Sequence, residues 1–193
     1  MKYNRNTKLI LAIAAIIFAL AWTAGAAAQT GTTLFVNPAT STATTCPNSS
    51  INVGISVGNV EDLTAFHLEI TFDPTAIQVD SIVPGTFIIG PGETYLPEPS
   101  NQIDNVHGFI SWGLAKQGSG GDPNPVSGTG DLIVITLHAI VPNDSSPINI
   151  DENKSMLVNW PDAFEIPFTA TDGVVNTASC PPTDIALSNN TIQ

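Results

Sequence analysis

Residues 57–74 read Val57-Gly-Asn-Val-Glu-Asp-Leu-Thr-Ala-Phe-His-Leu-Glu-Ile-Thr-Phe-Asp-Pro74. From Ala65 onward the stretch alternates without a break. Phe66, Leu68, Ile70 and Phe72 point one way, and Ala65, His67, Glu69 and Thr71 point the other. A period of two with one apolar face is the signature of a strand that lies on a core and keeps its other side wet. Asp73-Pro74 ends the strand, because proline has no N–H for the ladder. Just upstream, Ile51-Asn-Val-Gly-Ile-Ser-Val-Gly58 alternates as well, with Ile51, Val53, Ile55 and Val57 on one face.

Working outward, further strands are expected over 32–36, 76–83, 109–115, 132–141, 148–150 and 169–175. Between them lie the turn clusters Pro84-Gly85, Gly90-Pro-Gly92, 118–125 and 142–146. No stretch after residue 30 carries a helical period with caps. Many short strands separated by Gly/Pro turns imply an all-β chain, an antiparallel β-sandwich with jelly-roll topology.

The first residues set the compartment. Lys2, Arg5 and Lys8 precede an apolar run from Leu9 to Ala21, and Ala26-Ala27-Ala28 offers a small-residue cleavage site before Gln29. That is the layout of a secretory signal peptide over 1–28, with an uncleaved anchor as the competing reading. Residues 29–193 suffice for one domain with a substantial core. Only Lys116 and Lys154 then stand against all 17 acids, a formal charge of −15. Such a surface repels nucleic acid and anionic membranes, and neither is expected as a partner. Cys46 and Cys180 lie near the two ends of this region, and in an oxidising compartment they are expected to form one disulfide.

Catalytic chemistry finds no support. Gly54-Ile-Ser56-Val-Gly58 matches the nucleophile-elbow pattern, but Ser56 sits inside an alternating strand with no helix after it. His67, His107 and His138 lack metal-binding spacing, and no phosphate loop, dinucleotide fingerprint or EF-hand loop is present. His67 is expected at the surface and His138 packed or paired. Neither a cofactor nor a metal is expected.

The order of the segments is itself informative. The 57–74 stretch closely resembles the early part of a cohesin domain, where a "v-x-n-v-x-x-l" strand end leads to a strand finishing in aromatic-Asp-Pro. Ile77-Gln-Val79 with Val83-Pro-Gly85, Gly108-Phe-Ile-Ser-Trp112 and Gly128-Thr-Gly-Asp-Leu-Ile-Val-Ile-Thr-Leu137 match the family's next segments in order. Ile148-Asn-Ile150 and Thr171-Asp-Gly-Val-Val175 match its closing strands. The resemblance covers about residues 32–177 and implies a domain over 29–177. It also implies a non-catalytic module that attaches a dockerin-bearing extracellular protein, the calcium belonging to the dockerin.

The binding face that the resemblance implies is built by Ala65, His67 and Glu69 on one strand and Phe109, Ser111 and Gly113 on another, with Lys116 at its edge. Phe109 is expected outward as an anchor, and Trp112 inward. Residues 178–182 read as a linker, and Thr183-Asp-Ile-Ala-Leu-Ser188 resembles the opening strand of a cadherin-like repeat. Two other readings stay open: a carbohydrate-binding module, for which Trp112, Trp160 and Tyr95 are the main aromatic candidates, and a structural spacer of a surface protein.

Overall fold

The computed structural model describes residues 31–118 and 123–182. The expected signal segment and the cadherin-like start lie outside the described residues. Among those described there are twelve strands and no helix. In chain order they are β1 (Thr32–Asn37), β2 (Thr40–Thr44), β3 (Ile51–Thr71), β4 (Ile77–Pro84), β5 (Thr94–Pro97) and β6 (Gln102–Asp104). There follow β7 (Phe109–Gln117), β8 (Val126–Ala139), β9 (Ser145–Ile150), β10 (Met156–Asn159), β11 (Phe168–Thr171) and β12 (Gly173–Ala178).

β3 organises the fold. The two alternating runs around residues 51–58 and 65–72 are not separate strands but one strand of 21 residues. The apolar positions are odd-numbered in the first run and even-numbered in the second, so the chain must change phase between them. It does so in three steps: between Leu63 and Ala65, where the register against β10 shifts, and at Asn59 and Asp62, whose φ values are 54° and 52°. At the latter two points the register against β8 also shifts. Asn and Asp tolerate the left-handed region better than other residues with a Cβ, and each bulge inserts an unpaired residue and bends the strand.

The bend lets β3 serve both layers of the sandwich. Its first half lies between β8 and β1, and this layer continues to β4 on one side and β11 on the other. Its second half lies between β7 and the pair β9 and β10. That layer continues through β5 and β6 beyond β7, and through β12 and β2 beyond β9. All pairings are antiparallel except β1 with β11 and β12 with β2, at the margins. The inward residues of the two layers, among them Leu34, Val53, Ile55, Leu68, Ile70, Ile135 and Leu137, form one buried core. Phe66 and Trp112 stack within it, ring centroids 6.0 Å apart.

Other expectations shift at their ends. The strand expected over 132–141 begins at Val126 and stops at Ala139, leaving Ile140 and Val141 exposed. The one expected over 169–175 is two, parted at Asp172, whose carboxylate accepts a hydrogen bond from the Ile150 amide (2.9 Å). Cys46 and Cys180 are disulfide-bonded. The cause is register: β2 and β12 run parallel with Thr44 opposite Ala178, and each cysteine follows two residues later.

Candidate partner-binding face

The outward side of the second layer is laid out in rows. Ala115, Ala65 and Val158 form one row across β7, β3 and β10, and Gly113, His67 and Met156 form the next. Ser111 with Glu69 and Phe109 with Thr71 complete the series. Strand pairing thus brings together six of the residues expected on the face: Ala65, His67, Glu69, Phe109, Ser111 and Gly113.

The face is not as open as simple alternation suggests. Between β5 and β6 the chain detours over β7. The Gly113 amide donates to Asn101 Oδ1 (2.7 Å), while the Gly113 carbonyl accepts from Asn101 Nδ2 and the Glu98 amide, each at 3.0 Å. Glu98 therefore lies over Gly113. A Cβ at 113 would collide with Glu98 Oε2 and sit 2.6 Å from the Phe66 carbonyl oxygen, so the crossing requires glycine. Ser111 is also nearly covered, at 7% exposure.

His67 is held between two carboxylates. Its Nδ1 is 2.6 Å from Glu98 Oε2 and its Nε2 is 3.3 Å from Glu69 Oε1. Burial pushes the Glu98 carboxyl up, but hydrogen bonds from His67 and Ser100 outweigh it, and the group lies below the usual carboxylate range. Around this polar centre runs a shallow apolar groove of about 300 Å³, walled by Leu96 and Pro97 on one side and by Met156 and Val158 on the other. Leu96 and Met156 are 58% and 42% exposed.

Two expected members need correction or relocation. Lys116 is not at the edge of this face. By strand parity it shares the inward side of β7 with Ile110, Trp112 and Leu114, and its side chain is 2% exposed. Its ammonium donates to the Ile88 carbonyl and to Glu93, both at 2.8 Å. Phe109 does lie on the outward parity, but its row is three rows from Ala65, roughly 20 Å along the strand, so it stands apart from the groove. Leu96, Glu98, Met156 and Val158 were not anticipated, because 94–104 and 156–159 carry too few residues to show a period. The one local signal is Met156-Leu157-Val158, whose alternation sends Leu157 into the core and Met156 out.

The other candidate groups have structural duties. Ser56 is buried within β3 and hydrogen-bonded to Asp131. His138 pairs with Asp80 at 2.7 Å, and His107 pairs with Asp104 at the same distance. Among the described residues, no set of three or more His, Cys, Asp or Glu side chains is placed to hold a metal ion.

The family model for the cohesin domain matches residues 36–176, most of the chain. The chain belongs to the cohesin family. Solved cohesins share its fold at low sequence identity. A non-cellulosomal cohesin from the hyperthermophilic archaeon Archaeoglobus fulgidus superposes with a TM-score of 0.58 at 16% identity, over 77% of this chain and 92% of that one. The third ScaC cohesin of Acetivibrio cellulolyticus, solved with the ScaB dockerin, gives 0.59 at 18% identity, over 76% and 99%. The OlpA cohesin of Clostridium thermocellum, solved with the dockerin Doc918, gives 0.58 at 18%, again over 76% and 99%. No curated protein matched the chain. Cohesin domains are non-catalytic binding modules, and this one is therefore not an enzyme.

Proposed function

We propose that this cohesin captures a dockerin-bearing protein outside the cytoplasm, on the outward face of β3, β7 and β10. The observation that carries the reading is the apolar groove around His67, with Leu96 and Met156 as its exposed apolar walls. Ala65, His67 and Glu69 contact the partner directly, joined by Leu96, Glu98, Met156 and Val158. Gly113 and Ser111 act beneath them by letting the 98–101 segment cross, and Phe109 contributes at the far end. A few exposed apolar side chains ringed by polar ones suit an interface whose affinity is concentrated in its centre. Calcium, on this reading, is carried by the partner's own loops. Residues 1–28 are removed on export, 29–177 act as the module, and 178–193 lead into a neighbouring domain of a secreted assembly that degrades polysaccharide.

The test uses the exported chain as bait for the secreted proteins of its source, first with calcium and then with chelator. Capture of a protein with paired calcium-loop repeats, lost on chelation, is the expected result. Met156→Asp and Leu96→Asp should each weaken capture at least tenfold while the circular dichroism spectrum stays unchanged. Undiminished capture by both variants would show that the groove is not the interface.

A second reading has one observation in its favour. Trp160 and Phe164, 36% and 68% exposed, occupy the same connection between β10 and β11. Exposed aromatic rings can stack on sugar rings, so retention on insoluble polysaccharide, lost in Trp160→Ala, would identify a carbohydrate-binding role. Absence of retention in the parent chain removes it.

A further inference from the structure

Lys116 is the one buried cation among the described residues, and the partner-binding face does not use it. Its ammonium meets the Ile88 carbonyl oxygen and Glu93 Oε2, both at 2.8 Å. The other oxygen of the same carboxylate, Oε1, accepts a hydrogen bond from Asn124 Nδ2 at 2.7 Å. Glu93 is positioned in turn by the Gly90 amide, which donates to Oε2 (2.8 Å). Lys116, Glu93 and Asn124 line a single cavity. One carboxylate thus holds an amine on one oxygen and a carboxamide on the other.

That juxtaposition has a chemical consequence. In water an ammonium is no nucleophile and a carboxamide is a poor electrophile. A carboxylate that touches both can take a proton from the first and return one to the nitrogen that leaves the second. Sharing one carboxylate in one cavity keeps the two groups in each other's company and supplies the encounter that a bimolecular reaction lacks. We propose that Lys116, Glu93 and Asn124 form a self-crosslinking site, in which the Lys116 amine and the Asn124 side-chain amide condense to an isopeptide bond.

The step balances without any co-reactant. Glu93 Oε2 accepts a proton from the Lys116 ammonium, and the free Nζ lone pair attacks Asn124 Cγ. The tetrahedral carbon then expels Nδ2, which takes the proton from Glu93 and departs as ammonia. Nζ, now bonded to Cγ, loses its surplus proton to the ammonia, leaving a secondary amide and an ammonium ion. The starting state opposes the first transfer. Hydrogen bonds from Lys116, the Gly90 amide and Asn124 hold the Glu93 carboxyl at about 2. The bond therefore forms slowly, after the chain has folded, and accumulates on standing.

The experiment is peptide mass mapping of the purified full-length chain, fresh and after prolonged incubation at neutral pH. A branched peptide joining Lys116 to Asn124, lighter by one ammonia than its two parts and increasing with time, is expected. Intact mass alone does not decide the matter, because an N-terminal Gln29 exposed by cleavage also loses ammonia on cyclising. Glu93→Gln should remain folded by circular dichroism and yield at least tenfold less branched peptide, and Lys116→Arg should yield none. Linear peptides only, from folded parent chain after incubation, overturn the proposal. So does loss of water in place of ammonia, which would mean an amide between Lys116 and Glu93. Undiminished crosslinking in Glu93→Gln would remove the carboxylate from the chemistry.

Discussion

At the scale of single residues, a few side chains carry more than their neighbours because of the groups they touch. Glu93 shows this most directly. Its carboxyl is depressed from about 4.5 to about 2, the Lys116 hydrogen bond being the largest cause. A depressed folded-state value means stability that is fully present above the ordinary carboxylate range and is lost as pH falls towards 2. Denaturation midpoints measured between pH 5 and pH 2 should therefore drop more steeply in the parent than in Glu93→Gln, and parallel slopes would refute the assignment. Gly113 is the second such residue. Gly113→Ala forces a methyl against Glu98 and the Phe66 carbonyl, and crowding of this kind costs about 1–3 kcal/mol. Urea denaturation should show that loss. Because the 98–101 segment must also move, the contact between His67 and Glu98 should loosen, seen as a changed His67 imidazole chemical shift.

At the scale of elements, β3 decides the architecture. Its two halves belong to different layers, and the phase changes between Val57 and Ala65, two of them at Asn59 and Asp62, keep both halves facing one core. A β-branched residue in the left-handed region is strained by roughly 1–2 kcal/mol. Asn59→Val should therefore destabilise by that amount, whereas Asn59→Gly should be close to neutral, both by chemical denaturation. Equal effects from the two would show that backbone conformation is not the cause. β10 illustrates the opposite case of a short strand with a large functional share. Its four residues place Met156 beside His67 and Val158 beside Ala65, so one wall of the groove depends on a pairing of minimal length. Leu157, fully buried, anchors it. Leu157→Ala should cost about 2–5 kcal/mol in global stability, as other buried large-to-small changes do.

At the scale of the whole molecule, the disulfide joins the two ends of the sandwich across 134 residues of sequence. In the chain-entropy model a loop of that length contributes about 4–5 kcal/mol. Replacing both cysteines with serine should lower the thermal midpoint markedly while leaving partner capture intact, since the bond is not part of the groove. An unchanged midpoint would mean that the β2 and β12 pairing suffices by itself. Much of this fold was legible from residue order alone. Alternation at 65–72 and 51–58 defined inward and outward faces, and Trp112 lies inward as its neighbours required. The same parity places Lys116 among the inward residues of β7, against the edge position that the family resemblance implied. What the sequence determined by itself was therefore periodic and local: the all-β class, the side to which each strand residue points, and the family. What only the tertiary structure decided was the company each residue keeps. That Glu98 crosses Gly113 to reach His67, that Met156 and Leu96 face each other over a groove, and that Glu93 links Lys116 to Asn124 all depend on contacts between segments too short or irregular to show a period. A hydrophobic pattern records burial one strand at a time, whereas a binding face or a reactive cluster is assembled across strands.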